Sequence, residues 1–393
     1  DVVILNVEVA GGGLPLSEVQ ELMYRIGRAY PSGWDEDGHA LHSLAVSELI
    51  GRDGSVLART DAHEREAFMA HVSRHRAPRI AAHWAWLMQP LVSAYSEQPG
   101  ALRYRQIEYH RMPLAAYLAI DDPQALTRND FIRLGLVTGA GSRQEETVRD
   151  GSGNALPYGE PHLADFERRY CYDRFWSSAG AAPNTRYLCS GHALVVVGDA
   201  KSAFFNDRNR GVLAQFRHQQ FLLFLIAHFQ KAALLMFSER LVEALKRLQV
   251  ADAASVRRFK RAIRASFEGF LRFTHRYWFH DIAEQAQTRA LFRMTVQHLE
   301  TEALYAEVKE RTADMNSYLD ADSLRRQANT VVRLTVVTIF GLIGTITTGF
   351  LGMNLLTITD SPLSQQLLYF AVVFVVSTAL TMYTMVKSKR LSD

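Results

Sequence analysis

Cysteine is nearly absent from this 393-residue chain: only Cys171 and Cys189 occur, too few for a disulfide framework and without the paired spacing of a zinc site. Two lone thiols suit a large domain in a reducing compartment, although the sequence alone leaves their pairing open. Surplus charge is lacking too. With 44 basic and 41 acidic side chains and a formal net charge of +3, the chain has no basic excess of the kind that marks a nucleic-acid partner. Also missing are a Gly-rich phosphate loop before a helix, a nucleophile elbow and a dinucleotide fingerprint, so neither an enzyme nor a bound cofactor is expected. No repeat or low-complexity tract interrupts the sequence. No basic, apolar leader opens it, because Asp1-Val2-Val3-Ile4-Leu5 reads as a strand that soon meets Gly11-Gly12-Gly13. A start without Met is expected to be a trimmed one, with native residues before it.

The absence that says most is of charge near the C-terminal end. Between Val331 and Leu351 the only charge is Arg333, and between Leu367 and Val386 there is none. Each run has about the twenty residues that span a hydrocarbon core. Two transmembrane helices, 331–351 and 367–386, joined by a loop over 352–366, are therefore expected. Arg325, Arg326 and Arg333 precede the first; Lys387, Lys389 and Arg390 follow the second, in a basic tail over 387–393; the loop has no Lys or Arg, and Asp360 is its one ionised side chain. That asymmetry places both termini in the cytoplasm. A third apolar stretch, Phe221 to Phe237, is broken by His228, Gln230 and Lys231 and reads as a buried helix.

What precedes the membrane divides in two. Residues 1–205 mix strand-like runs (Val2 to Ala10, Leu44 to Ile50, Ala193 to Val197) with helical stretches (Ser17 to Tyr30, His63 to Ala94) and Gly- and Pro-bearing loops at Thr138 to Arg143 and Asp150 to Pro161; this is an α/β unit. Residues 206–330 read as a helical stalk: one helix to about Leu248, a second from Ala253 to about Trp278, and a third from about Asp281 into the membrane. Unbroken to Leu351, the third would have roughly 70 residues and reach about 100 Å. Leu291, Met294, Val296, Leu299, Leu304 and Val308 recur along it at near-helical spacing, a stripe for neighbouring helices or for further copies of the chain.

An α/β domain, a very long helix entering the first span, Gly352-Met353-Asn354 at its outer end, a short loop, a second span and a basic tail together resemble the CorA superfamily of two-span Gly-x-Asn divalent-cation channels. The specific evidence lies in about residues 281 to 393. The resemblance implies a funnel-shaped homopentamer in the inner membrane, passing Mg²⁺ as substrate through a pore lined by the first span. Its partners would be lipid, divalent cations and copies of itself. Gly352, Met353 and Asn354 would form the selectivity filter. Chemistry agrees: Gly352 permits tight geometry at a helix end, and Asn354 offers a neutral amide oxygen that symmetry would repeat as a ring around a hydrated ion. The residues Val331, Leu334, Thr338, Leu342, Thr345 and Gly349 fall on one helical stripe and match the family's conduction path. Thr338 and Thr345 would meet the ion with hydroxyls; Leu334 and Leu342 would close the pore by excluding water.

The loop departs from the pattern. Where magnesium-transporting members carry a Met-Pro-Glu-Leu-like acidic signature, this chain reads Leu355-Leu356-Thr357-Ile358-Thr359-Asp360-Ser361-Pro362-Leu363-Ser364, leaving Asp360, beside Asn354, as the candidate cation ligand. In the family, acidic residues near the membrane hold regulatory Mg²⁺; Asp314, Asp320 and Asp322 lie in that zone without matching position by position. His71 and His75 stand four apart, with His63 and His83 in the same region, but Arg74 and Arg76 beside them make a basic helix face the simpler reading than zinc. Three rivals stay open: a zinc-carrying relative, a non-conducting membrane regulator that kept the frame, and an enzyme domain tethered by the hairpin.

Overall fold

The computed structural model describes residues 2–106, 111–140, 159–249, 252–279, 282–352 and 362–390. The chain is a mixed α/β protein and divides into two compact units, Asp1–Thr312 and Ala313–Asp393.

The first unit opens with helix α1 (Leu16–Ile26), the strand pairs β1 (Gly33–Trp34) with β2 (Ala40–Leu41) and β3 (Glu48–Ile50) with β4 (Val56–Arg59), then α2 (Arg65–His75) and α3 (Ala82–Leu87). Two-residue strands β5 (Val92–Ser93) and β6 (Arg103–Tyr104) pair in parallel. The organising element is a four-stranded sheet of β7 (Leu114–Ile120), β8 (Cys171–Tyr172), β9 (Arg186–Cys189) and β10 (Ala193–Asp199), in the order β7-β10-β9-β8. β10 runs parallel to β7 and antiparallel to β9. Side chains alternate across it, as a strand's two-residue period requires. Ala193, Val195, Val197 and Leu188 pack with helices α4 (Arg128–Leu136) and α5 (Glu160–Tyr170); Leu194, Val196, Tyr187 and Cys189 pack on the other face.

The second face carries α6 (Phe221–Lys246) and α8 (Ala286–Leu299), with α7 (Ala253–Tyr277) packed on α6 through Phe237, Phe270 and Phe273. Gly198 shows how tight this layer is: a Cβ there would sit 2.1 Å from the Phe205 ring. The two cysteines are free. Cys171 pairs in register with Leu188, so it shares that residue's face, and Cys189 points to the opposite one.

Several expected boundaries move. The run 2–10 forms no strand and is mostly exposed; Val2 packs beside Phe237 and Phe270, and Glu8 pairs with Arg217, so the arm is held by its side chains instead of a sheet edge. The stretch expected as one helix from His63 to Ala94 breaks after His75, where Arg76 is left-handed (φ 54°) and Pro78 follows. Phe221–Lys246 is preceded by short turns at Ala203–Asn206 and Val212–Gln215 and a π-helical turn at Phe216–Gln220 rather than by continuous α-helix. The third long helix is interrupted at Glu300 (φ 53°), a left-handed C-cap that closes α8 before α9 (Thr301–Gly352) begins. Its apolar stripe turns inward: Leu291 and Met294 join the sheet layer, Val296 and Leu299 pack with Leu223 and Phe292, and Leu304 and Val308 pack with Leu234.

The second unit consists of the rest of α9 and α10 (Leu363–Arg390). At 52 residues, α9 runs about 78 Å.

Candidate functional site

The stretch of α9 from Val331 to Gly352 contains no proline and one charge. It therefore satisfies its backbone internally, as a helix in lipid must. Its threonines join in: Oγ1 of Thr335, Thr338, Thr345 and Thr347 donates to the carbonyl four residues back, over 2.7 to 2.9 Å. A hydroxyl that gives its only proton to the backbone keeps lone pairs to offer outward.

The helix has two characters around its circumference. Ile343 and Thr347, one turn apart, are 4% and 1% exposed. The stripe Val331, Leu334, Thr338, Leu342, Thr345 and Gly349 is exposed throughout, Leu334 by 66%. All six residues singled out in the sequence thus lie on exposed helix, with apolar side chains at Val331, Leu334 and Leu342 and hydroxyls at Thr338 and Thr345. On α10, Ser377 is buried, while Leu367, Val372, Val375, Val376 and Met382 are exposed. Leu363–Tyr383 is long and apolar enough to cross a membrane; the apolar part of α9, Leu334–Thr347, is shorter. Exposed apolar surface on this scale marks a membrane or protein contact face.

Gly352 is the last residue of α9, where glycine suits a helix end. Met353, Asn354 and Asp360 lie outside the described residues. Asp314 is exposed on α9, and the side chains of Asp320 and Asp322 fall outside the description.

In the first unit, one group sequence reading missed has ligand atoms within 4.8 Å of one another: Asp35, Asp37 and His39, in the turn between β1 and β2. The backbone N–H of His39 donates to Asp35 over 2.7 Å and is the main reason its carboxylate is held below the usual range. The signal was the string Asp35-Glu36-Asp37-Gly38-His39, a turn sequence whose alternation brings the side chains round to one side. His71 and His75 do come together, with ring centroids 4.6 Å apart, and Tyr95 lies against both, at 5.5 and 4.9 Å. Among the described residues no third metal-ligating side chain joins them. Burial, then the charges of His75, Arg79 and Arg74, lower the pKa of His71, an environment that repels a cation. The thiols are equally poor reagents: burial pushes Cys171 up to about 12 and raises Cys189 as well.

No protein-family model matches the chain, and no curated protein matches it.

Proposed function

We propose that this protein is a divalent-cation channel of the CorA kind, a homopentamer in the inner membrane with both termini cytoplasmic, Mg²⁺ its first-choice substrate. The observation that carries the reading is the exposed stripe of α9, Val331 to Gly349, leading directly to Gly352-Met353-Asn354. In a symmetric assembly the stripe would face an axis. Thr338 and Thr345, their protons committed to the backbone, would present acceptor oxygens to the water shell of a passing cation, while Leu334 and Leu342 would form rings narrow and dry enough to close. Asn354 would complete the outer mouth with neutral amide oxygens, matching an ion that gives up water reluctantly. Asp360 would supply the only charge there.

The test is divalent-cation uptake into proteoliposomes, read with Mg²⁺- and Zn²⁺-sensitive dyes, for the native chain and Asn354→Ala side by side. Uptake that disappears in the variant is the expected result, and the responding dye separates the magnesium from the zinc reading. Background signals from both proteins, correctly assembled, would overturn it. A second reading, a non-conducting membrane regulator with the same frame, is favoured by the single acidic residue between Gly352 and Gln366. It requires that Leu334→Gly with Leu342→Gly change nothing in ion flux, whereas the gate predicts a leak.

A further inference from the structure

The four-stranded sheet ends at β7, which pairs with β10 on one side. Leu114 donates its backbone N–H to His192 O, and Ile120 O accepts from Ala200 N. Alternate residues of a strand turn their backbone groups to the same neighbour, so Leu114, Ala116, Leu118 and Ile120 serve β10. The N–H and C=O of Ala115, Tyr117 and Ala119 then point out of the sheet, and among the described residues no backbone hydrogen bond reaches them. Natural sheet edges are blunted by charge, proline or a bulge. β7 reads Leu-Ala-Ala-Tyr-Leu-Ala-Ile, with none of the three, and its register with β10 is unbroken. None of its residues is buried and Ala119 is exposed, whereas β9 is buried throughout.

A segment suited to that edge lies early in the same chain. The arm over residues 2–10 is rich in valine, isoleucine and leucine, and Val3, Ile4, Leu5, Val7 and Val9 are exposed. Among the described residues none of its backbone groups bonds to another backbone group. Side chains fix it at two points: Val2 packs with Leu234, Phe237 and Phe270, and Glu8 pairs with Arg217. Arg217 and Leu234 are about 25 Å apart at 1.5 Å per residue of helix, and six residues of chain span at most about 22 Å. The arm is therefore held near full extension, so pairing asks little further ordering of it. Anchored in this way, it does not join β7 of its own chain. We propose that the arm of one copy, Val2 to Val9, adds as a further strand to the open edge of β7 in a second copy of this chain. Ala115, Tyr117 and Ala119 supply the ladder's groups on one side and the arm's unpaired backbone supplies them on the other. Val2 and Glu8 share one side of the extended arm, which stays on its own copy; Val3, Leu5, Val7 and Val9 share the other and extend an apolar layer of the neighbour's sheet. β7 carries no charge, and Glu8, the charge between Val2 and Val9, is already paired. Each chain has one such arm and one such edge, so head-to-tail pairing leaves neither unmatched once a ring closes. The contact suits the homopentamer proposed above and depends neither on ion conduction nor on the number of copies.

The experiment co-expresses two differently tagged full-length chains and oxidises them in native membranes. One carries Ala119→Cys; the other carries Val3→Cys, Leu5→Cys, Val7→Cys or Val9→Cys in turn. A disulfide needs Cα atoms within about 7 Å, so a heterodimer bearing both tags is expected at one arm position or two adjacent ones, and none when either copy lacks its new cysteine. Two prolines in the arm remove an N–H from each of its edges: Ile4→Pro with Leu5→Pro where the cysteine is at 7 or 9, Asn6→Pro with Val7→Pro where it is at 3 or 5. They should lower the cross-linked fraction tenfold or more. All four residues are exposed, and an unchanged circular dichroism spectrum checks that the chain still folds. No heterodimer at any of the four positions, or cross-linking that the prolines leave unchanged, would overturn the proposal. So would a chain carrying both cysteines that closes only on itself, since the arm would then pair with its own β7. A protein that cross-links as expected but conducts no ion would keep this contact while removing the channel.

Discussion

Two helical segments in this molecule, Val212–Lys246, which ends in α6, and Leu363–Tyr383 of α10, have equal mean hydropathy, and both are long and apolar enough to cross a membrane. Of the first, 44% of the apolar window is buried; of the second, 6%. The difference lies in how polar groups are treated. In α6 a polar side chain reaches another helix: Gln230 Nε2 donates to Tyr277 O over 3.0 Å, while His228, also buried, keeps Nδ1 2.8 Å from the Phe224 carbonyl of its own helix. Around them Leu234 and Phe237 are buried with Phe270 and Phe273 of α7. In α10 Thr378 donates to Phe374 O and Thr381 to Ser377 O, both within the helix and over 2.7 Å, and apolar side chains are exposed along the outside. Apolarity alone does not separate a core helix from a membrane helix. What separates them is whether polar groups are spaced to meet partners on other elements.

The strongest way to break that comparison is to place the same charge in both. Leu234→Arg puts an unpaired cation where the native side chain is fully buried and should cost more than about 4 kcal/mol, enough to unfold the first unit. Val375→Arg, at a position 63% exposed near the middle of α10, should leave that unit's stability within about 0.5 kcal/mol. It should instead weaken membrane insertion by about 2.5 to 3.5 kcal/mol. Thermal melts and carbonate extraction of membranes measure the two effects; equal unfolding by both variants would abolish the distinction.

A second contrast, inside the first unit, sets buried against exposed charge. Arg186 on β9 is buried, holds Asp173 in a bidentate pair at 2.8 and 2.7 Å, and stacks over Phe131 with 4.5 Å between its Cζ and the ring centroid. Arg168 makes an exposed pair with Asp165 at 2.5 Å. Arg186→Met removes two charge-assisted hydrogen bonds and the ring contact from a buried position, while Asp173 stays solvated, and should lower stability by about 2 kcal/mol. Arg168→Met should change it by less than about 0.5 kcal/mol. Urea denaturation of the two variants, with equal m-values, provides the check.

His192, at the start of β10, gives an effect that appears only on acidification. Burial, then the cations Arg111 and Arg28, lower its pKa from 6.5 to about 4. The folded state therefore binds this proton more weakly than the unfolded chain, so the associated stability is complete above pH 6.5 and declines as pH falls toward 4. The loss should total about 3 kcal/mol, at about 1.4 kcal/mol per pH unit. His71 and His83 are lowered as well, chiefly by burial, and contribute in the same direction. His192→Gln should flatten most of the slope between pH 6.5 and 4 and leave the remainder to those two; an unchanged slope would remove His192 from the account.

Much of the molecule's organisation could be read locally. The run Ala193 to Val197 is the centre of β10, and the expected helix from Ala253 matches α7, which Asp252 caps by accepting from the backbone N–H groups of Ala254 and Ser255. What failed depended on distant partners. The β-prone arm 2–10 joins no strand of its own chain. The break at Glu300 coincides with a crossing that no local residue signals: Gly191 (φ 81°), in the turn between β9 and β10, lies so close to the α8 terminus that a Cβ would be 3.0 Å from the His298 carbonyl. Likewise, His71 and His75 were visible at helical spacing. Tyr95, whose ring lies against both, comes from the β5/β6 region and carries no spacing signal.

The smallest expected change in stability tests the membrane side of the comparison most sharply. Thr338 donates to the Leu334 carbonyl over 2.9 Å, and that carbonyl also belongs to the helix ladder. Removing the hydroxyl by Thr338→Val therefore strands no buried donor and should alter stability by about 0.5 kcal/mol or less. If α9 only spans lipid, the variant is silent in every assay, since valine is at home against hydrocarbon. If the exposed stripe lines a water-filled path, the same substitution replaces a ring of acceptor oxygens with methyl groups and removes a contact for the ion's water shell. Uptake by Thr338→Val should then fall severalfold while Thr335→Val, one helical position off the stripe, keeps the native rate. Equal rates in the two variants would return the threonines of α9 to a purely structural role.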